Sequence, residues 1–214
     1  MKKINKLSEL KSLTAYRRLP DSCYDGPNFG DIKDDIRDRL LLEQGHLCAY
    51  CMRRINKKTM KIEHFYCQDE HSNLDLNYNN MLGCCPGGEG SPYKLQTCDT
   101  RKGNKALQYS PSLPKHDVDS KIRYASSGKI SSYDEDFDTQ INDVLNLNLT
   151  RLKENRVAAR YAAEEKLNKT KGTRSKTEIQ KLIDFYKNKN SKNHFTEYYG
   201  FVLDYLRKKY NKAS

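Results

Sequence analysis

The stretch Cys48-Ala-Tyr-Cys51 decides how the middle of this 214-residue chain folds. Two residues between the cysteines let both thiolates reach one tetrahedral zinc ion, at about 2.3 Å from each sulfur. A redox dithiol has the same spacing, so further ligands are needed to identify a metal site. Cys84, Cys85 and Cys98 lie downstream, and two of these three would complete a site of four cysteine ligands. We therefore expect a structural zinc site in preference to a set of buried free thiols.

The composition explains why such a chain would need a metal. Apolar residues make up 36% of the sequence, and 39 Lys and Arg against 28 Asp and Glu give a net charge of +11. Burial alone then supports only a thin core. The odd number of cysteines, seven, favours metal ligation over a disulfide framework. The sequence has no apolar run long enough for a membrane span and no signal-peptide pattern, so we expect a cytoplasmic protein.

The positive charge is concentrated at the two ends of the chain. Residues 1–18 carry a net charge of +5, residues 19–149 carry −4, and residues 150–214 carry +10. A basic segment of this kind can guide nucleic acid, and its tyrosines can also dock on a partner subunit. The third interpretation is that its lysines are the solvated faces of amphipathic helices.

Hydrophobic periodicity divides the chain into three predicted segments. Residues 1–45 end in a helix over Asp31–Gln44, which Gly45 stops. Residues 46–110 lack helical periodicity and are rich in Gly, Pro, Asn and Cys, which is typical of short strands and metal-tied loops. Residues 111–214 comprise a connecting segment and a basic helical region of three helices, in which a linker over 169–176 separates the first helix from the second. The predicted fold class is α+β.

Several short motifs lie in order around the cysteines. Glu63-His64 follows the first pair, Asn80-Met81 precedes Cys85, and Cys98 is followed by Asp99-Thr-Arg-Lys102. This order resembles the HNH nucleases, the zinc-braced branch of the ββα-metal (His-Me finger) superfamily. The resemblance favours Cys85 over Cys84 as the third zinc ligand, because of its spacing from Asn80. It implies a ββα nuclease centre with the structural zinc ligands Cys48, Cys51, Cys85 and Cys98.

The resemblance also implies the catalytic roles. His64 would be the general base, because an imidazole with a pKa near 6.5 is largely neutral in the cytosol. Glu63 and Asp99 would hold a catalytic Mg²⁺ or Mn²⁺ ion, which prefers oxygen ligands. Asn80 would orient the His64 ring. Asp99 would open a helix over 99–107, from which Lys102 could reach a phosphate oxygen.

Three arginines complete the candidate contacts to nucleic acid. Arg101 lies beside Lys102, and Arg53 and Arg54 follow the first cysteine pair. Each of these residues also has an ordinary structural interpretation, as a solvated or packed side chain.

Further similarity extends over roughly residues 1–165. Gln44-Gly-His-Leu-Cys-Ala-Tyr-Cys51 and Val144-Leu-Asn-Leu-Asn148 are similar to the PtuB-type HNH nucleases of Septu and some retron antiphage defence systems. This similarity implies a PtuA-type ATPase as partner, and in a retron also a reverse transcriptase with its RNA–DNA hybrid. We therefore expect a metal-dependent endonuclease that acts in antiviral defence. The alternative is a non-catalytic zinc-binding subunit that binds nucleic acid or assembles a complex.

Overall fold

The computed structural model describes residues 1–169, 172 and 174–213. Thr170, Lys171 and Thr173 of the predicted linker lie outside the described residues, as does Ser214. In chain order the elements are α1 (Lys11–Tyr16), α2 (Phe29–Gln44), β1 (Lys61–His64), β2 (Met81–Cys84), α3 (Cys98–Lys102), α4 (Val118–Lys121), β3 (Ile122–Tyr124), β4 (Ile130–Ser132), α5 (Glu135–Thr139), α6 (Thr150–Leu167), α7 (Lys176–Lys187) and α8 (Tyr199–Lys212). This mixture of helices and small sheets confirms the α+β class.

The helix predicted over Asp31–Gln44 is confirmed and begins slightly earlier, at Phe29. Gly45 ends it in the left-handed conformation, at φ 57°, which glycine adopts without strain. The last helical side chain, Gln44, reaches across to β2. Its Nε2 donates to the Gly83 carbonyl at 2.7 Å, and the Gly83 N–H donates to Gln44 Oε1 at 2.7 Å. Helix α2 thereby supports the strand pair from one side.

Strands β1 and β2 pair antiparallel, with Glu63 opposite Leu82 and His64 opposite Met81. After a loop the chain enters the short helix α3, which completes a strand–strand–helix unit. The predicted extension of this helix to residue 107 is wrong. Gly103, at φ 52° and ψ −132°, leaves the helical conformation and ends α3 directly after Lys102.

A second antiparallel pair, β3 and β4, lies in the segment that the sequence left unassigned. Each strand has three residues, which is too short to show an alternating pattern of apolar and polar positions. The turn between them does carry a signal, since Ser126-Ser-Gly128 ends in a glycine at φ 79°.

The three predicted C-terminal helices are confirmed as α6, α7 and α8. They pack on one another around a small apolar cluster of Ala163, Leu167, Ile179, Ile183, Tyr186, Val202, Leu203 and Leu206. The larger core contains residues from all three predicted segments, for example Leu13, Met81 and Leu152. The nuclease-like unit therefore shares its core with the chain on either side. None of the described helices has the length and hydropathy that crossing a bilayer requires.

Candidate functional site

Four buried cysteines, Cys48, Cys51, Cys85 and Cys98, converge at the side of the strand pair, and their sulfur atoms all lie within 4.8 Å of one another. A tetrahedral zinc ion about 2.3 Å from each sulfur needs sulfur–sulfur separations of about 3.8 Å. The Cys51 and Cys85 sulfurs are 3.8 Å apart. The four thiols therefore fit a zinc ion, and four protein ligands leave such an ion no open position for catalysis.

The four thiols are positioned by a backbone turn and by the ends of two elements, β2 and α3. The first pair lies on a tight turn closed by the Met52 N–H donating to the Cys48 carbonyl at 3.0 Å. Cys85 directly follows β2, and Cys98 begins α3, where its N–H donates to the Leu145 carbonyl at 2.9 Å. The four-cysteine cluster thus joins the turn, the strand pair, α3 and the segment before α6.

Cys84 is buried beside this cluster, but the structure groups Cys85 with the other three ligands. Burial, followed by hydrogen bonding to Cys48, raises the pKa of Cys84 well above its usual range. Burial also opposes ionisation of Cys48, yet hydrogen bonds from the neighbouring thiols hold its pKa well below the usual range.

Glu63 lies on the face of β1 that is turned towards α3, and only 3% of its surface is exposed. Its Oε1 accepts a hydrogen bond from the Tyr50 hydroxyl at 2.9 Å and is 2.9 Å from Lys102 Nζ. Burial raises the pKa of Glu63 well above its usual range. A hydrogen bond to Asp99 and the negative charge of Asp99 raise it further. The structure thus brings together the two carboxylates, Glu63 and Asp99, that the sequence assigned to one metal ion.

Lys61, two residues before Glu63 on the same strand, is a member of the site that the sequence analysis missed. Its Nζ is 3.4 Å from Asp99 Oδ2 and 3.1 Å from Glu89 Oε1, and a third of its side chain remains exposed. Alternation along β1 is the signal that could have found it, because residues 61 and 63 share one face.

The His64 ring lies on the opposite face of β1 from Glu63, as strand alternation requires. Its Nε2 is 2.8 Å from the carbonyl oxygen of Asp75, and the Tyr24 ring packs edge-on at 4.6 Å between centroids. A carbonyl can only accept a hydrogen bond, so Nε2 carries the proton and Nδ1 has the free lone pair. Burial lowers the pKa of His64, which favours this neutral form.

Asn80 holds the loop between β1 and β2 by three hydrogen bonds. Its Oδ1 accepts from the Tyr66 N–H at 2.8 Å, and its Nδ2 donates to the carbonyls of Tyr66 and Leu74 at 3.0 and 3.2 Å. The sequence predicted that Asn80 orients the His64 ring. In the structure the ring Nε2 donates to the Asp75 carbonyl, and Asn80 contacts the same loop at the preceding residue, Leu74.

Two of the candidate contacts to nucleic acid have structural partners. Lys102 is 1% exposed and forms its ion pair with Glu63, so it does not face solvent as the sequence suggested. The Arg54 guanidinium donates to the carbonyls of Gly45 and Phe195, and thereby attaches the segment before α8 to the end of α2.

A third candidate, Arg101, is half-buried and also has structural partners, since its guanidinium donates to the carbonyls of Tyr93 and Asp143. The same guanidinium lies over the Tyr93 ring, with its carbon 3.5 Å from the ring centroid. Arg53 is exposed and lines a surface cavity of about 640 Å³ together with Arg151 and Asn155 of α6.

No family model matches the chain. A protein of Vibrio cholerae serotype O1 biovar El Tor, named "Retron Vc95 putative HNH endonuclease", is 31% identical to it over 90 residues. The matched stretch covers 41% of this chain and 42% of that protein, so the chain spans less than half the length of this relative. The match supports the resemblance to HNH endonucleases that the cysteine, acid–His and Asn motifs indicate.

Proposed function

We propose that the chain is an HNH endonuclease, which hydrolyses phosphodiester bonds of nucleic acid with the help of Mg²⁺ or Mn²⁺. One observation carries the proposal: the carboxylates of Glu63 on β1 and Asp99 on α3 lie together, and His64 directly follows Glu63 on the same strand, in a unit that holds a cluster of four cysteines. Sequence similarity to a relative named as an HNH endonuclease supports the same activity.

His64 is the general base in this proposal. The Asp75 carbonyl fixes the ring by accepting from Nε2, so Nδ1 is the atom that takes a proton from the attacking water. The water oxygen then bonds to phosphorus as the bond to the leaving oxygen breaks. Tyr24 packs against the ring and excludes solvent from one side of it.

Glu63 and Asp99 would hold the catalytic cation. Tyr50 and Lys102 both contact Oε1 of Glu63, so Oε2 is the carboxylate oxygen left to bind an ion. Burial is the main cause of the raised pKa of Glu63, and Asp99 adds to it by a hydrogen bond and by its negative charge; two acids placed together in this way fit a divalent cation. A cation bound there supplies charge that stabilises the scissile phosphate and the leaving oxygen. Lys61, beside Asp99, places a second positive charge on the same side.

We further propose that the nuclease acts in the cytoplasm as the effector of an antiphage defence complex. The relative's name places it in a retron, and the similarity to PtuB-type nucleases indicates a PtuA-type ATPase as partner, with a reverse transcriptase and its RNA–DNA hybrid in a retron setting. The division into an N-terminal segment (1–45), a nuclease centre (46–110) and a basic helical region (111–214) belongs to this proposal.

The burial of Glu63 favours a second candidate function, that of a non-catalytic zinc-binding subunit. A carboxylate that is 3% exposed and already paired with Lys102 can serve the fold alone. Such a subunit would bind nucleic acid or assemble a complex without cutting.

Cleavage assays separate the two functions. The purified chain, alone and with its partner ATPase, is incubated with DNA and RNA in the presence of Mg²⁺ or Mn²⁺. We expect His64→Ala to lower the cleavage rate about 10²- to 10⁴-fold while zinc content is unchanged. His71→Ala, which removes a histidine of the adjacent loop, is the matched control and should cleave normally. Equal cleavage by His64→Ala would refute the mechanism, and zinc and nucleic-acid binding without metal-stimulated cleavage would establish the second function.

A further inference from the structure

Tyr93 is a half-exposed aromatic side chain in a basic surface near the candidate nuclease site. It begins the short turn Tyr93–Leu95 between Cys85 and Cys98, and 50% of its surface is exposed. Arg101, from α3, lies over the ring at 3.5 Å, and Lys105 Nζ is 2.9 Å from the Tyr93 hydroxyl oxygen. Lys94, the next residue, is also exposed.

The geometry shows which part of the ring is covered. Arg101 occupies one face. Lys105 Nζ is 5.5 Å from the ring centroid but 2.9 Å from the hydroxyl oxygen, which places it beyond the hydroxyl and close to the ring plane. With Arg101 on one face and Lys105 beside the hydroxyl, half of the Tyr93 surface remains exposed.

Side chains from other segments hold this turn in place. Arg101 donates to the Tyr93 carbonyl at 2.6 Å and to the Asp143 carbonyl at 3.2 Å. Asn146 donates to the Lys94 carbonyl at 3.1 Å. An aromatic ring fixed in this way loses little conformational entropy when a ligand stacks on it.

Helix α3 links this surface to the candidate catalytic centre. Arg101 and Asp99 both belong to this five-residue helix, and Thr100 between them contacts Lys61 at 3.3 Å. Acidic residues also lie in this neighbourhood: Asp143 accepts from Arg101 through its backbone carbonyl, and Glu89 and Asp99 lie beside Lys61.

We propose that Tyr93, Arg101 and Lys105 form a stacking platform for an unpaired nucleobase, with the two cations neutralising the flanking phosphates. Every base has an aromatic face, whereas bases inside a duplex are stacked on each other and unavailable. The platform therefore directs the nuclease towards single-stranded or locally unpaired nucleic acid. This inference rests on the proposed function and names the substrate class of the same site.

The test measures binding without cleavage. All variants are made in the full-length His64→Ala chain with zinc bound and no added Mg²⁺ or Mn²⁺. Fluorescence anisotropy at one fixed salt concentration gives the Kd for a labelled single-stranded 12-mer and for its duplex, in DNA and in RNA. A single-stranded oligonucleotide that contains 2-aminopurine reports stacking on the protein directly, through its change in fluorescence.

Removal of the ring should weaken binding of the single strand specifically. Tyr93→Leu should raise the single-strand Kd about fivefold to a hundredfold and abolish most of the 2-aminopurine change, with little effect on the duplex. Tyr93→Phe, which keeps the ring, should retain both signals. Tyr133→Leu is the matched control, because Tyr133, directly after β4, is 70% exposed with Arg123 over its ring at 4.7 Å.

The opposite results overturn the platform. These are an unchanged single-strand Kd in Tyr93→Leu, an equal loss for duplex and single strand, or an equal loss in Tyr133→Leu. Failure of the parent chain to bind the single strand also overturns it. The proposed nuclease function fails by a different result, namely equal cleavage by wild type and His64→Ala, so the two failures are distinguishable.

Discussion

Replacing Lys102 with Met should destabilise the fold strongly, because the lysine is a buried structural cation. Its side chain is 1% exposed and its Nζ lies 2.9 Å from Oε1 of Glu63, which is 3% exposed. Removing one partner of a buried ion pair leaves the other charge without compensation, which costs about 3–5 kcal/mol. The nearby carboxylate of Asp99 adds to the penalty by repelling Glu63. In a chain of this size we expect the melting temperature to fall by about 6–20 °C.

The matched control is an ion pair on the surface. Lys57 Nζ is 2.7 Å from Asp38 Oδ2, and the two side chains are 39% and 60% exposed. Water and salt screen such a pair, so Lys57→Met should cost less than about 1 kcal/mol. The comparison holds the chemical change constant and contrasts a buried cation with an exposed one, which also lies 3.5 Å from Asp34.

Urea unfolding followed by circular dichroism measures both free energies, with zinc in excess at every denaturant concentration. The double variant Lys102→Met/Glu63→Gln should be less destabilised than the sum of the two single variants, because it removes both charges of the pair. If Lys102→Met costs no more than Lys57→Met, the buried pair is refuted. Lys102 would then be free to contact phosphate, as the sequence suggested.

Two further predictions concern the zinc ligands and the loop between the strands. Elemental analysis should show that Cys85→Ala loses most of its bound zinc. Cys84→Ala should retain zinc, since the sulfur of Cys84 is outside the group of four. Loss of zinc in Cys84→Ala and retention in Cys85→Ala would contradict this ligand set. Asn80→Ala removes three hydrogen bonds and should lower the free energy of unfolding by about 2–4 kcal/mol. Asn79→Ala, at the exposed neighbour, should change the same free energy by less than about 0.5 kcal/mol, and an equal effect of both variants would contradict the role given to Asn80.

The sequence predicted best where the signal is local. The periodicity of α2 and the glycine that ends it were readable from adjacent residues, as were the C-terminal helices. The strands β3 and β4 were missed because three residues are too few to show a period. The sequence does not predict the end of α3 at Gly103, because one glycine among residues that favour helix is a weak stop signal. The non-helical backbone conformation that ends the helix there is visible only in the structure.

The sequence by itself determined which residue types the candidate site contains, because ligand spacing is a covalent property of the chain. Cys48-Ala-Tyr-Cys51, the acid–His pair and Asp99 after Cys98 needed no tertiary information. Only the tertiary structure decided which charges are buried. It paired Lys102 with Glu63 and left Lys61 partly exposed beside Asp99, although both lysines lie close to the acids in sequence. The physical reason is that burial depends on groups from other segments of the chain. The Tyr50 hydroxyl, for example, donates a hydrogen bond to Glu63, and the packing of the whole fold brings these two residues together.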